Sequence, residues 1–109
     1  MSGALPNLSI SGATGDRAVD INGIWDRSGE VVAGLPVYFK RADPDKCLEY
    51  YAPNNMWIIR TLADRGTGTG HAYVNCAAGG PVENCANTWT VLVDDDWVDQ
   101  ATVNVVRHG

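Results

Sequence analysis

Glycine, proline, asparagine and aspartate punctuate this chain at intervals of roughly 8–12 residues, and between them almost no stretch repeats its apolar residues at helical spacing. That pattern commits the chain to short strands joined by turns. Leu8 to Ile10 predicts a first strand, closed by Ser11-Gly12-Ala13-Thr14-Gly15-Asp16. Arg17 to Asp20 is too short to assign. Ile21 to Trp25 starts a strand through Asn22-Gly23, Asp26 to Gly34 makes a wide loop, and Leu35 to Arg41 returns as the second arm. Pro36 cannot donate to a ladder, so it belongs at that strand's start or on an edge. The clearest hairpin pairs Cys47–Tyr51 with Met56–Leu62 across Ala52-Pro53-Asn54-Asn55, where proline presets a turn and asparagine tolerates positive φ. Ala63 to Gly70 is a glycine-rich connector, His71 to Cys76 a strand, and Ala77 to Asn84 a loop. Thr88 to Val93 pairs across Asp94-Asp95-Asp96 with a strand beginning at Trp97, or else with Thr102 to Val106. The expectation is an all-β fold: a small antiparallel sandwich or barrel of about seven or eight strands, built from hairpins.

A chain of 109 residues supports one modest core, so residues 1–109 read as one domain with an ordered core over about 8–106. Eight Lys and Arg against thirteen Asp and Glu leave a formal charge of −5. With its basic residues scattered, this surface does not fit phosphate neutralisation, and no nucleic-acid partner is expected. A basic protein partner suits it better. No segment approaches the roughly 18 apolar residues of a membrane helix. The first seven residues carry neither a basic region nor an apolar stretch, so the sequence as given reads as cytoplasmic, with no membrane partner.

All four tryptophans follow a turn-like polar pair: Asn22-Gly23 before Trp25, Asn54-Asn55 before Trp57, Asn87-Thr88 before Trp89 and Asp95-Asp96 before Trp97. They read as core pillars near the starts of outgoing strands, with each indole N–H satisfied at the rim. Cys76 and Cys85 are expected to lie close enough to pair across the Gly79-Gly80-Pro81 loop wherever the compartment is oxidising, leaving Cys47 free.

Three runs, Ser11-Gly12-Ala13-Thr14-Gly15, Ile21-Asn22-Gly23-Ile24-Trp25 and Gly34-Leu35-Pro36-Val37-Tyr38, carry a resemblance. They continue into Leu48-Glu49-Tyr50, Met56-Trp57-Ile58-Ile59, Ala72-Tyr73-Val74, Thr88-Trp89-Thr90-Val91 and Trp97-Val98. In that order and spacing they resemble an all-β module repeated in large proteins of unicellular algae and other protists. The resemblance spans Leu8 to Val106. It implies an auxiliary or interaction unit without enzymatic activity, and hence no catalytic residues to carry over. Where the module has an Asp-Gly type turn before its last tryptophan, this chain has Asp95-Asp96.

The residues themselves motivate little catalysis. His71 and His108 are too few for a metal or acid–base site, and Cys47, Cys76 and Cys85 lack metal-ligand spacing. Asp94-Asp95-Asp96 lacks the alternating geometry of a calcium loop and reads as a solvated hairpin tip. Gly12–Asp16 and Thr67–Gly70 are not followed by a phosphate-binding helix start, so both read as turns. No metal, cofactor or catalytic residue is expected. The aromatic residues are the functional lead, since four Trp, four Tyr and one Phe exceed what a small core hides. Alternation sets Leu48 and Tyr50 against Glu49 and Tyr51, and Tyr38 against Val37 and Phe39. The expected binding surface is therefore the tyrosine face around Tyr38 and Tyr51, or the loop end carrying Pro53, Asn54 and Asn55. Its work would be that of a non-catalytic protein-interaction or structural module. The alternative is a lectin-like carbohydrate-binding module using exposed aromatics.

Overall fold

The computed structural model describes residues 7–77 and 80–108. Among the described residues, nine antiparallel strands form one curled sheet, a half-barrel with little helix. In chain order they are β1 (Asn7–Ser11), β2 (Gly23–Val32), β3 (Leu35–Lys40), β4 (Asp43–Tyr51), β5 (Met56–Thr61), β6 (Ala72–Asn75), β7 (Trp89–Val93), β8 (Asp96–Gln100) and β9 (Asn104–His108). Each strand from β1 to β8 pairs with the next, and β9 then crosses back to β1. There is one sheet, so the architecture is not a sandwich, and the strand number slightly exceeds the expected seven or eight.

The differences from the sequence reading are local. Asp26 to Gly34 is not a wide loop. Strand β2 continues to Val32 through a register shift between Arg27 and Val31, and the turn onto β3 is only Ala33-Gly34, both at positive φ. The bulge let polar residues occupy a strand whose alternation was broken, and this hid it. Ile21 does not begin a strand but ends a single helical turn, α1 (Ala18–Ile21). Both candidate partners of β7 exist: β8 pairs with it across Asp94-Asp95, whose positive φ values make a two-residue hairpin turn, while β9 pairs elsewhere.

The core fills the concave side. Register aligns Tyr38, Leu48, Ile59, Ala72 and Val91 across five strands, with Tyr50, Trp57 and Val74 in the next row. Ile21 of α1 and Val82 of the segment between β6 and β7 insert into this core from the open side. Trp25 and Trp57 are fully buried, and their indole N–H groups donate to the carbonyls of Ile21 and Gly80, both at 3.0 Å. Burying a large apolar side chain contributes roughly 1.5–3 kcal/mol. Trp89 is buried too, but Trp97 is not, so only three of the four expected pillars are pillars.

Strand β5 is buried on both faces because a second layer covers the convex side. The 62–70 connector lies over β4 and β5: Arg60 donates to the Thr67 carbonyl, and a Cβ on Gly70 would strike Ile58 at 2.7 Å. The Gly12-Ala13-Thr14-Gly15 turn is a structural hub. The Asn22 amide bonds both N–H and C=O of Ala13, the Gln100 amide does the same for Thr14, and Thr102 Oγ1 donates to the Gly12 carbonyl at 2.7 Å. These contacts tie α1, β1 and the β8–β9 turn together. A Cβ on Gly12 would sit 1.9 Å from the Thr102 carbonyl oxygen, so this close approach needs glycine.

Cys76 and Cys85 form a disulfide with Cα atoms 5.7 Å apart, and Cys47 is free and buried. Gly79 of the loop between the bonded cysteines lies outside the described residues. No helix among the described residues is long and apolar enough to cross a membrane.

Candidate functional site

Of the five residues singled out by the sequence, Tyr51 and Pro53 line one hollow and Asn54 another, while Tyr38 lies apart from them. Tyr38 points into the concave side, 4% exposed, with its ring 6.5 Å from that of Trp57. It is therefore not part of an exposed tyrosine face. Alternation could not reveal this, because β3 is covered on both sides: Val37 is fully buried as well. Tyr51 is half-buried on the convex side with the Arg60 guanidinium 5.5 Å from its ring centroid. Pro53, Asn54 and Asn55 are exposed at the β4–β5 turn, Asn55 in the left-handed conformation expected of it.

A different aromatic group occupies the convex surface. Pairing of Leu92 with Trp97, and of Tyr73 with Thr90, sets Tyr73 of β6 and Trp97 of β8 on the same face, on either side of β7. Their rings meet edge to face at 5.2 Å, the arrangement favoured by aromatic quadrupoles. Trp97 remains 46% exposed. Beside it lies an open hollow of about 430 Å³ lined by Asn54, Met56, Gly68, Tyr73, Asn75 and Trp97. Asn54 and Asn75 supply exposed amides at its margin. Asn54 is thus the one expected site residue that lines this hollow. Trp97, Tyr73 and Asn75 went unrecognised. The signal for Trp97 was present in Asp96-Trp97-Val98-Asp99, where each alternate face carries a charge and neither reads as buried.

A second hollow of about 410 Å³, lined by Tyr51, lies over a buried ion network. Glu49 is 3% exposed and Arg60 2%; one Glu49 oxygen accepts from Arg60, and the other accepts from Arg65 Nη2 at 2.9 Å. Arg65 also reaches Glu30 at 3.2 Å and covers the Phe39 ring. Burial pushes the Glu49 carboxyl up, but the bonds from Arg65 and Arg60 outweigh it and hold the group below its ordinary value. These charges satisfy one another and line this hollow.

The remaining reactive groups are dispersed. Burial, aided by the Glu49 charge, pushes the Cys47 thiol to about 11, so it is not a thiolate at neutral pH. Both ring nitrogens of His71 are buried without a hydrogen-bond partner among the described residues, and burial holds its pKa below the ordinary value. Among the described residues, no group of three or more His, Cys, Asp or Glu is placed to hold a metal ion.

Comparison with protein-family models, with curated proteins and with solved structures returns no match.

Proposed function

We propose that the chain is a non-catalytic recognition module that binds carbohydrate at the convex hollow beside Trp97 and Tyr73. One observation carries the reading: a half-exposed tryptophan, braced by a tyrosine, borders an open trough with two asparagine amides at its edge. A sugar presents C–H faces for an aromatic ring and hydroxyls for amides, and Trp and Tyr provide large contact area at low conformational cost. A trough open to solvent suits an extended chain of sugars better than a small molecule that must be enclosed.

The test is a glycan array followed by titration calorimetry of the recovered oligosaccharide against the wild type and Trp97→Ala. Truncating this side chain should change stability by no more than about 1 kcal/mol and weaken glycan binding at least about tenfold, as loss of an aromatic anchor does. Unchanged affinity in the folded variant removes the site from Trp97.

A second reading, a protein partner, is favoured by one further feature. Among the described residues the outer edge of β8 has no neighbouring strand, and Trp97 lies on it beside Asp94, Asp95, Asp96 and Asp99. A basic strand adding to this edge would associate faster at low salt, whereas a neutral oligosaccharide would be indifferent to salt. An array without glycan hits, together with salt-dependent capture of Lys/Arg-rich peptides, would replace the first reading by the second.

A further inference from the structure

Tyr38, misplaced by the sequence reading, lines a hollow of a different character on the concave side. Register pairs Arg27 with Tyr38, and Leu8 with Arg107, on the face that carries the core. The three side chains converge on a hollow of about 210 Å³ at the rim of the half-barrel. Its walls are apolar, made by Leu35 and Pro36 of β3 and by Pro81 of the disulfide-tied segment. Glu83 closes one side and accepts a bond from Arg107 Nε at 3.0 Å. That carboxylate neutralises one of the two guanidinium groups. Arg27 has no carboxylate partner among the described residues, so the hollow keeps a surplus positive charge in a chain whose formal charge is −5.

From this we infer that the rim hollow is a binding site for a small organic carboxylate, separate from the convex trough. The guanidinium fork of Arg27 matches the two oxygens of a carboxylate, and such charge-assisted pairs are the strong class of hydrogen bond. Burial, reinforced by the neighbouring Glu83 charge, raises the Tyr38 hydroxyl above its ordinary value despite the opposing pull of Arg27 and Arg107, so at neutral pH a protonated O–H lines the same space. The proline and leucine walls accept the hydrocarbon part of the ligand and favour an organic acid over a bare inorganic anion. Arg107, whose side chain is 65% exposed, leaves its terminal nitrogens for the outer oxygen.

Benzoate is the probe, with benzamide as its neutral counterpart of the same shape. Titrated into the 15N-labelled full chain, benzoate should shift the Arg27, Tyr38, Glu83 and Arg107 resonances saturably, while benzamide leaves them in place. Arg27→Gln should weaken benzoate binding by about tenfold or more. Arg107→Gln, at an exposed position, provides a second variant that keeps its fold and should weaken it in the same direction. Trp97→Ala should bind benzoate as the wild type does, whatever becomes of its glycan binding. Absence of a saturable shift, equal binding of benzamide, shifts centred elsewhere, or full affinity in Arg107→Gln would overturn the assignment.

Discussion

Glu49 stands in the middle of a strand, almost without contact with water, between two arginines that approach it from different directions. Charges so placed are costly to desolvate, and the network contributes chiefly through the penalty for breaking it. Glu49→Ala would leave Arg60 buried with only the Thr67 carbonyl as acceptor. It should destabilise the chain by about 3–5 kcal/mol in urea denaturation, far more than truncation of exposed Glu30 at the other end of the network. At this scale the sequence was legible where one residue type has one role. Asn55 was expected to tolerate a turn and adopts φ 52°. Trp57 was expected to be a rim-satisfied pillar and is one. Trp97 carries the same local signature as Trp57 but lies on an edge strand, and only tertiary position separates the two. Tyr38 failed for the opposite reason: its strand is covered on both faces by segments distant in sequence.

Among the elements, the segment that bridges the open side of the half-barrel is tied to the sheet at several points. Val82 seats in the core, the Gly80 carbonyl receives the Trp57 indole, the Tyr50 hydroxyl donates to the Cys76 carbonyl at 2.9 Å, and Glu83 reaches across to β9. The Cys76–Cys85 bridge closes a loop spanning nine positions of sequence. Chain-entropy reasoning gives such a loop about 2–3 kcal/mol. A Cys76→Ser, Cys85→Ser variant should lose about that much stability, read as a lower urea midpoint with the β-rich circular dichroism spectrum retained. Denatured protein prepared without reductant should show one free thiol, from Cys47, and three after reduction. Hairpins β4–β5 and β7–β8 were legible because their turn residues and flanking alternation agree. The continuous β2 was not, because its bulge breaks the alternation, nor was the return of β9 to β1, a pairing between residues about a hundred positions apart. Single-sequence patterns carry no information about such distant partners.

For the molecule as a whole, two buried groups shape the response to acid, while partly exposed Asp26 and Asp43, lowered by hydrogen bonds from Arg41 and Lys46, add to its lower end. His71 is neutral in the fold and has its pKa depressed below 6.5, by burial first and then by the charge of Arg17. Lys46 acts in the same direction, while Asp20 and Asp64 oppose it. The unfolded chain therefore binds the extra proton below 6.5, and stability falls as the pH drops from that value towards the folded pKa. Glu49, depressed below 4.5, adds a second loss that begins near 4.5 and completes as the pH falls through its folded pKa. Urea midpoints measured across this range should fall in two stages, and His71→Gln should abolish the upper one while leaving the lower. Another whole-molecule property follows from the pairing of Asn7 with His108 on β1 and β9. The two ends of the described chain leave the sheet side by side, separated by about 5 Å, the spacing of directly opposed antiparallel residues. A tensile load applied through those ends would act across the strands and not along them. It would open the β1–β9 ladder one hydrogen bond at a time, like a zipper, instead of shearing all of them together. The fold consequently offers little resistance to pulling, yet a host polypeptide could accept it within a surface loop almost without spreading that loop's two ends.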